Sequence, residues 1–573
     1  MIAQMIESGI RIVDCYPLKA QYASGEIVEL AIEIANGSDF ARTVGVRCAI
    51  RELDRVTESR EHAAVVAPGG TETIRLRFGP YETAFSGYGA DVELLRGEET
   101  VDRLSTAFDV VDDWRRATRY GFLSDFGAAE AGDEEDVKWM AKLHLNLVQF
   151  YDWMYRHDEL VGEEAEYTDL MGRVVNRGVV EEKIRACHAL GMKAIAYGAV
   201  YAASRAFADA RPDWRLYTSA GTPYDFIGIF AIMNTAPDSP WHAHIIDQYR
   251  QAVERMDFDG IHLDTYGFPK TGWSRLNGER RLERLEEHFP VLIDGTRKVL
   301  SEAKEDACLI FNNVGNWPVD TVARAEQDAI YVEVWKPYER YSQLRDIIGW
   351  AKHLSDGKNI ILAAYLKPFR IPGPHGADGA MNAFRLLNAV VAAHGAYHLL
   401  HGENGGVLTQ GYYVDHSLLA PDQLRVVRDY CDFGVRYGHV THDRGLRDVS
   451  MTHADGDNLE YEFTRFDYST YGEAGKVWTV IMEGGGRKLV HFINFSGLAD
   501  DYWNEDKAAP TTVAGRTVYV AIDREVEFVL LASPDRDGGR PTRLDCRVER
   551  HERGLRAVVE LPELAYWDLL IIE

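Results

Sequence analysis

Between Arg119 and about Gly445 the chain repeats one pattern eight times: a short, nearly continuous apolar run followed by a longer stretch with helical periodicity. Runs that are apolar on both faces suit parallel strands covered on both sides, and the stretches between them suit crossover helices. The runs are GFLSDF from Gly121, LNLVQF from Leu145, MKAIAY from Met192, FDGIHLD from Phe258, CLIFNN from Cys308, AIYVEV from Ala329, NIILAAY from Asn359 and AYHLL from Ala396. Helices are expected from Glu134 to Lys142, Val180 to Leu190, Trp241 to Arg255, Glu279 to Ala303, Tyr341 to His353, Gly379 to Ala393 and Pro421 to Phe433. The last opens on proline in its first turn and sets Leu424, Val427 and Cys431 on one face. The link after the fifth run is short, and its helix is the least marked. Eight such units make a (β/α)8 barrel, whose chemistry sits at the C-terminal ends of the strands.

The flanks read differently. Val28, Leu30, Ile32 and Ile34 alternate with polar or small residues, and Val44, Val46, Cys48 and Ile50, then Ile74, Leu76 and Phe78, repeat the alternation. Turn clusters at Asn36-Gly37-Ser38 and Pro68-Gly69-Gly70 punctuate it. This is the pattern of antiparallel strands with one wet face. After Gly445, VWTVIM, KLVHFINF, TVYVAI and EVEFVLLA return to strands. The expected fold is therefore multidomain, α/β and all-β. A TIM barrel (residues 113–444) is flanked by an N-terminal immunoglobulin-like β-sandwich (1–112) and a C-terminal antiparallel β-sandwich (445–573).

Composition narrows the function. A formal net charge of −27 would repel a phosphate backbone, which excludes nucleic acid as the expected partner. No apolar stretch is long enough to cross a bilayer, so no membrane association is expected. Six widely spaced cysteines suggest free buried thiols. The first residues, MIAQMIESGIRIVD, do not resemble a secretory signal, and a cytoplasmic location is expected.

Two carboxylates close barrel strands: Asp264 in FDGIHLD and Glu333 in AIYVEV. Hydrolysing a glycosidic bond takes one protonated carboxyl to assist the leaving oxygen and one ionised carboxylate to meet the oxocarbenium-like centre. Strand-end acids also cap helices or bind backbone in many barrels, so either residue alone is ambiguous. Asp259, earlier on the fourth strand, reads as structural, with Asp259-Gly260 as a bulge or bend. The loop QFYDWMYRHDEL brings Gln149, Tyr151, Asp152, Trp153, Arg156 and His157 to the mouth, where aromatic rings and bidentate groups suit sugars. Trp153 and Tyr155 have the alternative of packing the rim. Tyr197, Tyr266, Asn313, Trp335, Tyr365 and Glu403 hold strand-end places on other units.

His262 and Asp264 form an HxD pair, and His144, His188, His242, His394, His398 and His401 lie within the barrel segment, which raises metal-dependent hydrolysis. The spacing is poor for it; His262 is expected to fill the barrel or touch substrate, with no metal and no cofactor. There is no GxSxG elbow, P-loop or GxGxxG opening a helix.

Taken in order, YGFLSDF from Tyr120, NLVQFYDWMYRH from Asn146, DLMGR from Asp169, GMKAIAYGAVYAA from Gly191, FDGIHLDTYG from Phe258 and YVEVW from Tyr331 resemble glycoside hydrolase family 66, which holds dextranases and cycloisomaltooligosaccharide glucanotransferases. The resemblance spans nearly the whole chain. It implies the same three-domain order, α-1,6-glucan or isomaltooligosaccharide as substrate, Asp264 as nucleophile and Glu333 as general acid/base of a retaining endo-α-1,6-glucanase (EC 3.2.1.11 type). Asp152, Trp153, His157 and Tyr197 would then hold the sugar at the cleavage point. The glucanotransferases of the family carry a carbohydrate-binding module after the region of Tyr365 to Leu400, for which this chain has no space, so hydrolysis is expected over cyclisation. A transglycosylase and a non-catalytic glycan-binding protein are the alternatives, and only the resemblance speaks to linkage.

Overall fold

The computed structural model describes residues 9–552 and 554–573. The first eight residues, part of the stretch read for a secretory signal, lie outside the described residues. Eight parallel strands form one sheet in chain order: Tyr120–Leu123, Leu147–Phe150, Lys193–Ala199, Gly260–Asp264, Cys308–Val314, Ala329–Glu333, Asn359–Ala363 and Tyr397–Leu399. A parallel bridge between Phe122 and Gly402 brings the last unit back to the first. Each strand overlaps one of the eight apolar runs, three of them reaching one or two residues beyond it, and all but the half-buried eighth are buried on both faces because helices cover them outside and side chains fill the barrel inside.

Two expected helices differ. The segment Glu279 to Ala303 becomes helical only at Leu285, because Arg281–Arg284 pairs with Thr271–Ser274 as a hairpin. Its buried Glu283 accepts hydrogen bonds from Ser274 and Arg281, a demand the exposed first turn of a helix would not meet. After the fifth strand the helix is a single turn, Val319–Val322.

On the N-terminal side a three-stranded antiparallel sheet and a five-stranded sheet, antiparallel except for the short edge strand Tyr22–Ala23, enclose a core that includes Leu30, Ile32, Val46, Cys48, Ile74 and Phe108. This body docks on the last long barrel helix, Pro421–Arg436: the buried Arg436 guanidinium binds Asp91, Arg428 binds Asp14, and Asp432 accepts from Thr106 and the Ala107 N–H. Gly89 permits the approach, since a Cβ there would lie 2.1 Å from the Arg436 guanidinium carbon.

On the C-terminal side a seven-stranded and a four-stranded sheet share a second core. The alternation within Val477–Gly484 divides the labour: Val477 and Ile481 face the partner sheet, while Trp478, Val480 and Met482 join the barrel core. All six cysteines are free, four buried and Cys431 and Cys546 half-buried. Among the described residues no helix is long and apolar enough to cross a membrane.

Candidate active site

Parallel register sets which side chains share the inner face of the barrel. Tyr197 is level with His262, and Asn312 with Tyr331, so Asp264, Asn312 and Glu333 all project inward near the C-terminal rim. There Asn312 Nδ2 donates to Asp264 Oδ1 at 2.7 Å and to Glu333 Oε2 at 3.0 Å. The two bonds together cap the separation of those oxygens at 5.7 Å. With the donor's two hydrogens about 120° apart the separation is roughly 5 Å. Tyr197 OH donates to the other Asp264 oxygen at 2.6 Å, and Tyr365 OH donates to Glu333 Oε1 at 3.0 Å. Every carboxylate oxygen of the pair thus meets a neutral donor.

Burial dominates the electrostatics. It raises Asp264 from 3.8 to about 6, against the opposing hydrogen bonds from Tyr197, Asn312 and the Thr265 backbone. Asp264 keeps some exposure through the pocket mouth and is ringed by protein elsewhere. Burial, and next the neighbouring Asp264 charge, raise Glu333 from 4.5 to about 7. Asp152 is likewise lifted to about 7 by burial, although the Arg173 guanidinium opposes it, and burial holds His157 neutral by lowering it to about 3.

A cavity of about 510 Å³ opens over the pair, lined by Tyr151, Asp152, His157, Tyr197, Tyr266 and Trp335 among the residues expected from the sequence. Met171, Phe226, Ile227, Phe230, Thr265, Val314, Gly411 and Tyr412 complete its wall. The Phe226 and Tyr266 rings stack at 4.2 Å, giving one apolar side. Ile227, at the tip of the hairpin formed by Asp225–Phe226 and Phe230–Ile232, is an exposed β-branched residue at φ +48°. That conformation is strained for isoleucine, and strain of this kind persists at sites where the surroundings impose it.

Several expected residues stand elsewhere. Asn313 is not in the site: its amide donates to the Phe311 and Tyr331 carbonyls on the outer side of the strand, and its neighbour Asn312 takes the inward place. Trp153 is fully buried, donates to the Tyr197 carbonyl and packs on Phe258 behind the pocket wall. Arg156 lies over the Tyr155 ring and binds the Tyr155 and Thr168 carbonyls. Glu403 is buried where it accepts from Ser124 and the Asp125 N–H, tying the eighth unit to the first. Gln149 and His262 point into the barrel without lining the cavity; His262 shares a hydrogen bond with Tyr120 at 2.8 Å, and burial keeps it neutral. Tyr365 reaches Glu333 from behind the wall. Asp259 is structural, as expected: the chain bends there before the strand Gly260–Asp264, its carboxylate accepts from His188 and the Ala194 N–H, and a Cβ at Gly260 would strike the Cys308 carbonyl at 1.8 Å. Among the described residues no group of three or more His, Cys, Asp or Glu is placed to hold a metal ion.

Because a single amide nitrogen serves both carboxylates, Asn312→Ala is expected to lower kcat/KM on a glycan substrate about 100-fold, the scale of losing one preorganised donor in a reacting site. Steady-state rates across pH check this. Both limbs of the profile should move to higher pH, since the lost donor favours the charged form of each acid.

The cycloisomaltooligosaccharide glucanotransferase of Niallia circulans is 22% identical over 97% of this chain and 71% of its own length. A dextranase of Streptococcus salivarius is 24% identical over 81% of this chain and 64% of its own. The crystal structure of a Paenibacillus sp. cycloisomaltooligosaccharide glucanotransferase complexed with cycloisomaltoheptaose superposes with a TM-score of 0.90 at 21% identity, covering 98% of this chain and 100% of that one, which shows a common fold. The sequence model of glycosyl hydrolase family 66 matches residues 17–571, and the chain belongs to that family.

Proposed function

We propose that this protein is a retaining hydrolase of α-1,6-linked glucan, with Asp264 as nucleophile and Glu333 as general acid and base. The observation that carries the reading is the shared Asn312 donor, which holds the two carboxylates at roughly 5 Å, the spacing of retaining enzymes rather than the ~6.5–9.5 Å that leaves room for an inverting water. Asp264 attacks the anomeric carbon while Glu333 gives its proton to the departing oxygen. A covalent glucosyl-enzyme forms, and Glu333, now ionised, takes a proton from the water that releases it. The pKa order suits these roles. Between about pH 6 and about pH 7, Asp264 is ionised while Glu333 still holds its proton.

The α-1,6 preference is supported by membership of the family and by its dextranase and glucanotransferase relatives. Hydrolysis over cyclisation is supported by the compact path after Leu400, which holds only the short turns Glu403–Gly405 and Tyr413–Asp415 and the two-residue strands Gly406–Val407 and Ser417–Leu418 before the helix Pro421–Arg436. A second reading, transfer to an acceptor sugar, is favoured by the glucanotransferase that aligns over 97% of this chain.

Incubation of the protein with dextran and with isomaltooligosaccharides, followed by proton NMR, tests both. Early appearance of α-anomeric reducing ends is expected. Early β-anomer would overturn retention, and failure to release sugar from either substrate would overturn the substrate assignment. Products longer than the starting oligosaccharide at high substrate concentration would establish transfer.

A further inference from the structure

The 495–515 connection joins Arg487–Asn494 in one C-terminal sheet to Arg516–Ile522 in the other. Instead of staying within the sandwich, it reaches the rim of the barrel. The Tyr341 N–H donates to the Asp501 carbonyl at 3.0 Å, the Trp503 N–H donates to the Glu339 carbonyl at 3.1 Å, and Arg340 and Tyr502 form an antiparallel bridge between them. The Arg340 guanidinium pairs with Asp501 and lies 4.7 Å over the Tyr502 ring. Trp503 is 3% exposed, and its indole N–H donates to the Tyr338 carbonyl at 2.8 Å. Asn504 extends the contact to the next loop by accepting from the Lys367 N–H.

The clamped segment, residues 334–341, begins immediately after Glu333. Within it the Tyr338 N–H donates to the Trp335 carbonyl at 3.0 Å, so Trp503, Tyr338 and Trp335 form one connected path. Trp335 lines the cavity beside Glu333, its ring and Glu333 Oε1 both lying just over 3 Å from where a Gly411 Cβ would stand, and it is edge-on at 5.9 Å to Tyr365, which donates to Glu333; its presence favours the charged form of Glu333. Trp335 is 43% exposed, so little packing of its own fixes the ring and its place depends on how the loop is held. A long connection that abandons its own sandwich to add a rung to a catalytic loop calls for more than domain packing, since the sandwich already docks on the barrel elsewhere through Tyr566, Trp478 and Trp567.

We propose that Trp503 is a positioning residue through which the C-terminal sandwich fixes the 334–341 loop, holding Trp335 against Glu333 and so setting how Glu333 gives and takes its proton. The inference rests on the assignment of Glu333 as acid/base. Its test compares an isomaltooligosaccharide, whose leaving group needs a proton, with isomaltosyl fluoride, whose fluoride leaves with little help.

Trp503→Ala is expected to lower kcat/KM on the oligosaccharide about 10- to 100-fold, the cost of an ångström-scale misplacement, while kcat/KM on the fluoride, which reports only the first step and needs no acid, stays near the wild-type value. The basic limb of the pH profile should move to higher pH. Trp503→Phe, which keeps the ring but loses the bond to Tyr338, should move the same readouts in the same direction by less, and decides the matter if the alanine variant does not fold. Tyr566→Phe, which removes the hydrogen bond to Asn382 at 2.6 Å, loosens the same two domains away from the loop and should leave the substrate ratio unchanged. An equal fall on both substrates, an unmoved basic limb, or the same ratio change in Tyr566→Phe would overturn the proposal. Wild-type protein that cleaves neither substrate would instead overturn the substrate assignment, and a basic limb that survives Glu333→Gln would overturn the assignment of Glu333, on which the proposal rests.

Discussion

Asp264→Asn is expected to lower kcat on isomaltooligosaccharides by about 10⁴-fold or more and, at neutral pH, to make the protein more stable. The activity loss follows because an amide of the same shape cannot form the glucosyl ester. The site tolerates the exchange: the amide oxygen keeps the Asn312 bond, and the amide nitrogen can donate to Tyr197 OH, which both gives and takes hydrogen bonds. The stability gain follows from linkage. Asp264 is raised from 3.8 to about 6 in the folded state, so the folded protein holds its proton more tightly than the unfolded chain and is destabilised wherever that proton is lost. That cost is absent below pH 4, grows as pH rises, and is complete above about pH 6. After allowing for the contact of Asp264 with pocket water, the variant should gain on the order of 1–2 kcal/mol at pH 7 and nothing at pH 4. Thermal melts at the two pH values, with product analysis, measure both effects. Turnover above a few per cent of wild type would remove Asp264 from the mechanism, and a loss of stability at pH 7 would show that the hydrogen bonds to the carboxylate outweigh the burial of its charge.

The barrel was legible because its strands are apolar on both faces, a signal that needs no tertiary information, and strand ends mark the active side of such a barrel. That logic reached Asp264 and Glu333 as strand-terminal acids. It misplaced the asparagine by one residue, because a strand-end rule selects the last polar residue, whereas the register with the neighbouring strands selects the face. Counting in steps of two from His262 through its cross-strand partner Ile310 leads to Asn312, so the information was present in the alternation. The cavity wall from Phe226, Ile227, Phe230 and Tyr412 was not legible. These residues lie in long βα connections, where no periodicity says which side chains fold back over the mouth. Trp153 and Glu403 mislead for the opposite reason: aromatic and acidic residues near a strand end serve packing behind the wall and hydrogen bonds between units as readily as substrate. The contribution of Trp503 is further still from sequence, since it depends on a contact between segments about 165 residues apart.

Glu333→Gln should separate the two half-reactions. With an isomaltooligosaccharide, whose departing oxygen needs a proton, kcat/KM is expected to fall by about 10³-fold, within the range of general acid catalysis. With isomaltosyl fluoride the first step needs no acid, so the glucosyl-enzyme should form and persist, because glutamine cannot deprotonate the water that releases it. Azide needs no general base, and adding it should restore turnover and yield the α-glycosyl azide, the product of a second inversion at the anomeric carbon. The pH dependence supplies an independent check. Wild-type kcat/KM should be bell-shaped, failing below about pH 6 as Asp264 is protonated and above about pH 7 as Glu333 loses its proton. In the glutamine variant with the fluoride the basic limb should vanish while the acid limb remains, since Asp264 still has to be ionised to attack. The acid limb should stay near pH 6, because Glu333 still holds its proton there in the wild type and its replacement removes no charge from the pocket. A β-azide would mean that azide had replaced a missing nucleophile rather than a missing base, which would exchange the roles of the two carboxylates; a basic limb that survives the substitution would assign it to another group, of which Asp152, also raised to about 7, is the one facing the same cavity.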